Sequence, residues 1–130
     1  MQLIDADDVT PDDNMSLVAP YDKPFDFAVA KDPHTFAAML TPAGIKEIKT
    51  YLDRIGPGKP CLISTKQTIG ADGKAVDLNG HGKIEQCDRT SLPPTEVVKN
   101  VHAEGLIVHA FTLRSEAVRL SSDFRADAKA

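Results

Sequence analysis

Apolar positions recur along this chain with two different periods, and long polar stretches separate them. Between residues 42 and 53, Ile45, Ile48 and Leu52 fall at i, i+3 and i+7, with Tyr51 beside them and Lys46, Glu47 and Lys49 outside the stripe. That spacing predicts an amphipathic helix from about Pro42 to Asp53. Thr41 suits its N-cap, and Pro42 suits the first helical position, where an N–H would have no helical partner. Gly56 and Pro57 stop any continuation and leave Ile55 to a very short strand. A second helix is predicted from about Thr95 to Glu104, with Val97, Val98 and Val101 inward and Gly105 as its terminator. Leu106 to Leu113 follows, apolar at nearly every position. Such a run suits a strand covered on both faces, as in a parallel sheet.

The segments between these elements read as loops. Residues 1–5 suit the end of a short buried strand. Residues 6–40 carry repeated Asp and Pro, among them Asp7, Asp8, Pro11, Pro20, Pro24 and Pro33, with little periodicity beyond Phe25-Asp26-Phe27. They predict a long surface loop, and residues 64–94, rich in Gly, Asp and Lys, predict another. Residues 121–130 read as a frayed tail. The order is strand, loop, helix, short strand, loop, helix, strand, which indicates an α/β chain built from βαβ units. Three parallel strands leave two bare edges, which isolated domains avoid. The pattern therefore predicts a section of a larger barrel or open sheet.

Composition narrows the classes. A length of 130 residues suits one domain, and 42% apolar residues excludes a wholly disordered chain. A mean hydropathy of −0.23, with no long apolar run, excludes a membrane-spanning helix. Fifteen basic against nineteen acidic residues give a net charge of −4, so the basic excess of a nucleic-acid or anionic-lipid binder is missing. Cys61 and Cys87 flank a polar loop without C-x-x-C spacing, which argues against a thiolate zinc site or a thioredoxin-type pair. One loop-closing disulfide and two unreactive thiols both fit them. Met1-Gln2-Leu3-Ile4-Asp5 has no basic leader region, which leaves the compartment open.

Two stretches then carry a resemblance. Tyr51-Leu52-Asp53-Arg54-Ile55-Gly56-Pro57-Gly58-Lys59 resembles the Y-x-D-G-I-G-P-x-K segment of bacterial glycerophosphodiester phosphodiesterases. Val101-His102-Ala103-Glu104-Gly105-Leu106-Ile107-Val108-His109-Ala110-Phe111-Thr112-Leu113-Arg114-Ser115-Glu116 resembles their A-H-A-A-G-L-x-V-H-x-[YFW]-T-x-R-x-E segment. Gln2-Leu3 and Leu40-Thr41-Pro42-Ala43-Gly44 fit the same order, so the likeness runs over residues 1–116. It implies part of a TIM (β/α)8 barrel, about strands five to seven with their helices. The activity it implies is hydrolysis of small-molecule glycerophosphodiesters to glycerol 3-phosphate and an alcohol. It further implies a divalent cation, Ca or Mg, that neutralises phosphodiester oxygens while a histidine pair supplies acid–base chemistry. Enzymes of this bacterial type are often exported, so the resemblance favours a periplasmic or extracellular parent.

The departures from that family matter as much. The sequence has no H-R-G and no E-x-D, the motifs that carry the family's catalytic histidine and metal carboxylates. A complete barrel takes about 250 residues. On this reading the chain is the carboxyl-side part of an enzyme, needs the rest of the barrel and is inactive alone.

Barrel sites form at the C-terminal strand ends. Phe111 matches the family's aromatic position and is expected to wall the substrate, with core packing as the alternative. Arg114 and Lys59 are expected near phosphate, with surface ion pairing as the alternative. His109 is expected to be a packed, hydrogen-bonded residue, His102 a structural one, and His34 a loop residue without an evident partner. A separate stretch, Asp77-Leu78-Asn79-Gly80-His81-Gly82-Lys83-Ile84-Glu85-Gln86-Cys87-Asp88, resembles the calcium loop of EF-hands and of dockerin modules. It would offer Asp77, Asn79, the Lys83 carbonyl and Asp88 as ligands, with Gly82 at the sharp turn. His81 stands where an acid is usual, and Pro93 and Pro94 forbid a long exiting helix. A non-catalytic calcium-binding or interaction module is the competing function, and a loop that holds no ion is the plain alternative.

Overall fold

The computed structural model describes residues 1–4 and 22–124, and the acidic stretch read as loop between residues 5 and 21 lies outside them, as does the tail from 125. The described chain is mixed α/β. Strand β1 (Gln2–Ile4) leads to helices α1 (Phe25–Ala30), α2 (Phe36–Met39) and α3 (Pro42–Lys49). Strand β2 (Arg54–Pro57), helix α4 (Lys59–Leu62), strands β3 (Thr65–Gln67) and β4 (Arg89–Ser91), helix α5 (Val97–Ala103) and strand β5 (Ile107–Val108) complete the order. β1, β2 and β5 form a parallel sheet in that sequence, with Ile55 of β2 opposite Gln2 on one side and Val108 on the other. Among the described residues this sheet does not close into a barrel.

The helix at 42 starts as its sequence dictates: the Thr41 side chain accepts the Gly44 amide, and Pro42 occupies the first turn. Its end is earlier than the apolar spacing predicts. The Thr50 hydroxyl donates to the Glu47 carbonyl, and the amides of Tyr51 and Leu52 both return to Ile48, so the last residues form a tight turn. Ile45 and Ile48 from α3 meet Val97 and Val101 from α5 over one face of the sheet, where Ile4 and Ile55 are wholly buried. Gly105 closes α5 at φ +70°, a conformation that favours glycine.

Several expectations need correction. Residues 22–40 are not all loop: Thr35 caps α2 by accepting the Ala38 amide, and Phe27, Phe36 and Met39 reach the core. Residues 64–94 contain an antiparallel ribbon of β3 and β4, with Thr65 opposite Ser91. Its strands are three residues each and widely separated in sequence, so no local alternation announced them. The run at 106–113 is covered on one face only. Its amides at Ile107, His109 and Phe111 donate to Asp53, Ile55 and Pro57, but Ile107 is 49% exposed and Leu113 is 75% exposed. His109 is exposed rather than packed, because it stands on that uncovered face. His34 does have a partner, the Asp32 carboxylate, which also accepts its backbone amide and is held below its usual range by these bonds. Cys61 and Cys87 are both buried, and no disulfide joins them.

Gly44 marks the tightest contact between helices. A Cβ there would lie 2.3 Å from the Ala38 carbonyl oxygen and 2.7 Å from the Met39 Cα, both backbone atoms that cannot rotate away. Intrinsic propensity favours alanine over glycine in a helix by about 1 kcal/mol, while overpacking of this kind costs about 1–3 kcal/mol. A 2.3 Å approach to a backbone atom puts the cost at the upper end of that range, so Gly44→Ala is expected to lower stability by about 1–2 kcal/mol. Urea denaturation checks this, and an unchanged or raised midpoint would contradict the packing described.

Candidate functional site

The parallel ladder brings the end of β2 and the residues after β5 together. Gly58 donates its amide to the Ile4 carbonyl, Lys59 donates to the Phe111 carbonyl at 2.6 Å, and Gly58 and Phe111 form a parallel bridge. A cleft of about 310 Å³ opens at this C-terminal edge, with Lys59, Thr65, Phe111, Arg114 and Arg119 in its walls. Lys59, Phe111 and Arg114, singled out on separate stretches of sequence, thus line one cavity. Lys59 and Phe111 are half-buried and Arg114 is exposed. Phe111 sits at the cleft wall rather than in the hydrophobic core.

The cations differ in their availability. Arg114 is held by Glu116 through paired contacts, Nη2 to Oε1 at 2.7 Å and Nε to Oε2 at 3.2 Å. The guanidinium bonds pull the Glu116 carboxyl down to about 2, so this pair is ionised at neutral pH. Lys59 makes one long side-chain bond, 3.5 Å to the Arg119 carbonyl. Arg119 was missed by sequence reasoning, because it lies just beyond the resemblance that ends at Glu116 and before the segment read as a tail.

The loop at 77–88 has a different chemistry. The Asp77 carboxylate accepts the amides of Gly80 and His81 through Oδ1 and that of Gly82 through Oδ2, at 2.7, 3.3 and 2.5 Å. These bonds, Gly82 foremost, hold its carboxyl below the usual range. Asn79 Oδ1 accepts the His81 amide, and its Nδ2 donates to Cys87 Sγ. Asp88 is wholly buried, accepting the amides of Leu78 and Glu85. Lys83 is exposed. One loop therefore contains Asp77, Asn79 and Asp88, with their oxygens turned onto its own amides. Among the described residues, no three His, Cys, Asp or Glu side chains converge as a metal-holding group.

The described fold and site define an α/β chain whose parallel strands end at a cleft with basic walls. Among the described residues, no helix is long and apolar enough to cross a membrane. Comparisons with protein families, with curated proteins and with solved structures find no match to this chain.

The amide cage around Asp77 predicts a titration. A carboxyl whose folded value is depressed stabilises the loop above its unfolded value, and that contribution is lost as pH falls through the folded value. The amide resonances of Gly80, His81 and Gly82 are expected to shift together with a midpoint below 3.8, the ordinary value for Asp. A midpoint at or above 3.8 in an NMR pH series would show that the cage does not form.

Proposed function

We propose that this chain is the carboxyl-side part of a phosphoric diester hydrolase of the glycerophosphodiester phosphodiesterase type, and that its cleft holds the phosphate of the substrate. The observation that carries this reading is the convergence of Lys59, Phe111 and Arg114 on one cavity at the C-terminal ends of parallel strands. Enzymes built on such barrels react at that end. The sequential order β1, β2, β5 also supports a barrel section, since each strand joins the sheet beside its predecessor. Lys59 and Arg119 supply positive charge and have no carboxylate ion partner among the described residues, and Phe111 supplies an apolar wall for the glycerol or alcohol part. The role assigned here is binding and orientation of the phosphate. Acid–base and metal chemistry belong to the H-R-G and E-x-D segments of the family, which this sequence lacks.

Glycerol 3-phosphate is expected to bind the chain weakly, with Lys59→Gln and Arg119→Gln each weakening it about tenfold, as loss of one charge-assisted contact does. Glu116→Gln releases Arg114 and is expected to tighten binding a few-fold. Added salt weakens all of these, because the cleft is open to solvent. Calorimetry or NMR titration measures each effect. No detectable binding at millimolar ligand overturns the phosphate reading, and turnover of glycerophosphocholine by the 130-residue chain alone overturns the partial-barrel reading.

A further inference from the structure

A second cavity of about 130 Å³ adjoins the basic cleft and shares Lys59, Ile63, Thr65 and Gln86 with it. Its exposed lining is mainly apolar, with Ile63, Leu120 and Phe124 as the large side chains. Ile63 is 39% exposed and Phe124 is 65% exposed, so apolar surface faces solvent beside a set of cations. Scattered apolar side chains need no explanation, but a concave group next to polar anchors is the usual form of a small-molecule site.

The wall that carries Leu120 and Phe124 is fastened in place. The Ser91 hydroxyl bonds the Ser121 hydroxyl at 2.6 Å, the Ser91 amide donates to the Asp123 carboxylate, and the Ser122 hydroxyl donates to the Arg89 carbonyl. Three polar contacts to β4 thus anchor the residues immediately around the two apolar side chains. A wall held in this way loses little freedom when a ligand docks, which favours binding.

We infer that the adjoining cavity is the subsite for the alcohol part of the substrate, and that the cleft selects phosphate esters with an apolar alcohol over those with a small polar one. This rests on the phosphate reading of the basic cleft. Lys59 faces both cavities, so a phosphate at its ammonium group has its ester substituent within reach of Ile63, Leu120 and Phe124. Each buried methylene improves transfer from water, and a partly open cavity realises a fraction of the full gain.

The test compares methyl phosphate with hexyl phosphate on the full chain, both at concentrations where hexyl phosphate is monomeric. Hexyl phosphate is expected to bind about tenfold tighter, a fraction of what complete burial of its chain would give. The double variant Leu120→Ser, Phe124→Ser is expected to reduce that preference below about twofold while leaving methyl phosphate unchanged. Intermolecular NOEs from the hexyl terminal methyl to the Phe124 ring in the unmodified protein check the same contact without depending on a variant's folding. Equal affinity for the two esters, or absence of those NOEs, overturns the subsite and leaves the phosphate reading standing. Failure of both esters to bind removes the phosphate reading and this inference together. Sedimentation with phosphatidylcholine vesicles in the absence of a methyl-to-hexyl preference overturns it in favour of a membrane-facing patch.

Discussion

The central strand β2 is the constraint on which the rest of this structure depends. Among the described residues it alone is bonded on both sides, to β1 and to β5, and residues 55–58 are all buried. Ile55 anchors it to the helices. Gly56 leaves room that a Cβ would contest with Leu3 Cδ2 at 2.8 Å. Because the neighbouring strands take their register from β2, its exit fixes where Lys59 emerges and which residue after β5 stands opposite. The 2.6 Å bond from the Lys59 amide to the Phe111 carbonyl is the direct consequence, and the cleft opens around that junction.

The same sheet is covered unequally. Ile45, Ile48, Val97 and Val101 bury one face, while Leu3 at 54% and Ile107 at 49% exposure stand on the other with His109. Parallel sheets ordinarily have both faces covered, because the crossover segments between their strands pack against them. Both outer strands, β1 and β5, also have a single partner among the described residues. These are the surfaces that a barrel reading assigns to interior layers and to flanking strands. On the proposed barrel reading, the helices on the covered face are its outer ring.

Legibility in the sequence followed the range of the interactions. The stripes Ile45, Ile48 and Val97, Val101 were readable because each helix buries a single face, and the Thr41 and Gly105 boundaries were readable because capping is local chemistry. The β3–β4 ribbon was not, since Thr65 and Ser91 find each other only through tertiary packing and three-residue strands leave no period to count. Lys59, Phe111 and Arg114 became candidates through family resemblance, and no local pattern joins them. Arg119 went unnoticed between the end of the resemblance at Glu116 and the tail from 121, although Val118, Leu120 and Phe124 around it are apolar positions in a largely polar segment.

On the proposed phosphate reading, the balance of charge in the cleft makes Arg114 compatible with ligand binding despite its partner. An exposed Arg–Glu pair is worth little in water, because solvent screens it and two long side chains must be ordered to form it. Glu116 therefore holds the guanidinium in place without sequestering it, and on the proposed reading the singly charged phosphodiester competes for it with the help of the neighbouring Lys59 and Arg119. On that reading Lys59 and Arg119 draw the anion in, and Arg114 exchanges its carboxylate partner for it. The pair works as a positioned reserve of charge, which keeps the empty cleft from presenting three uncompensated cations in close proximity.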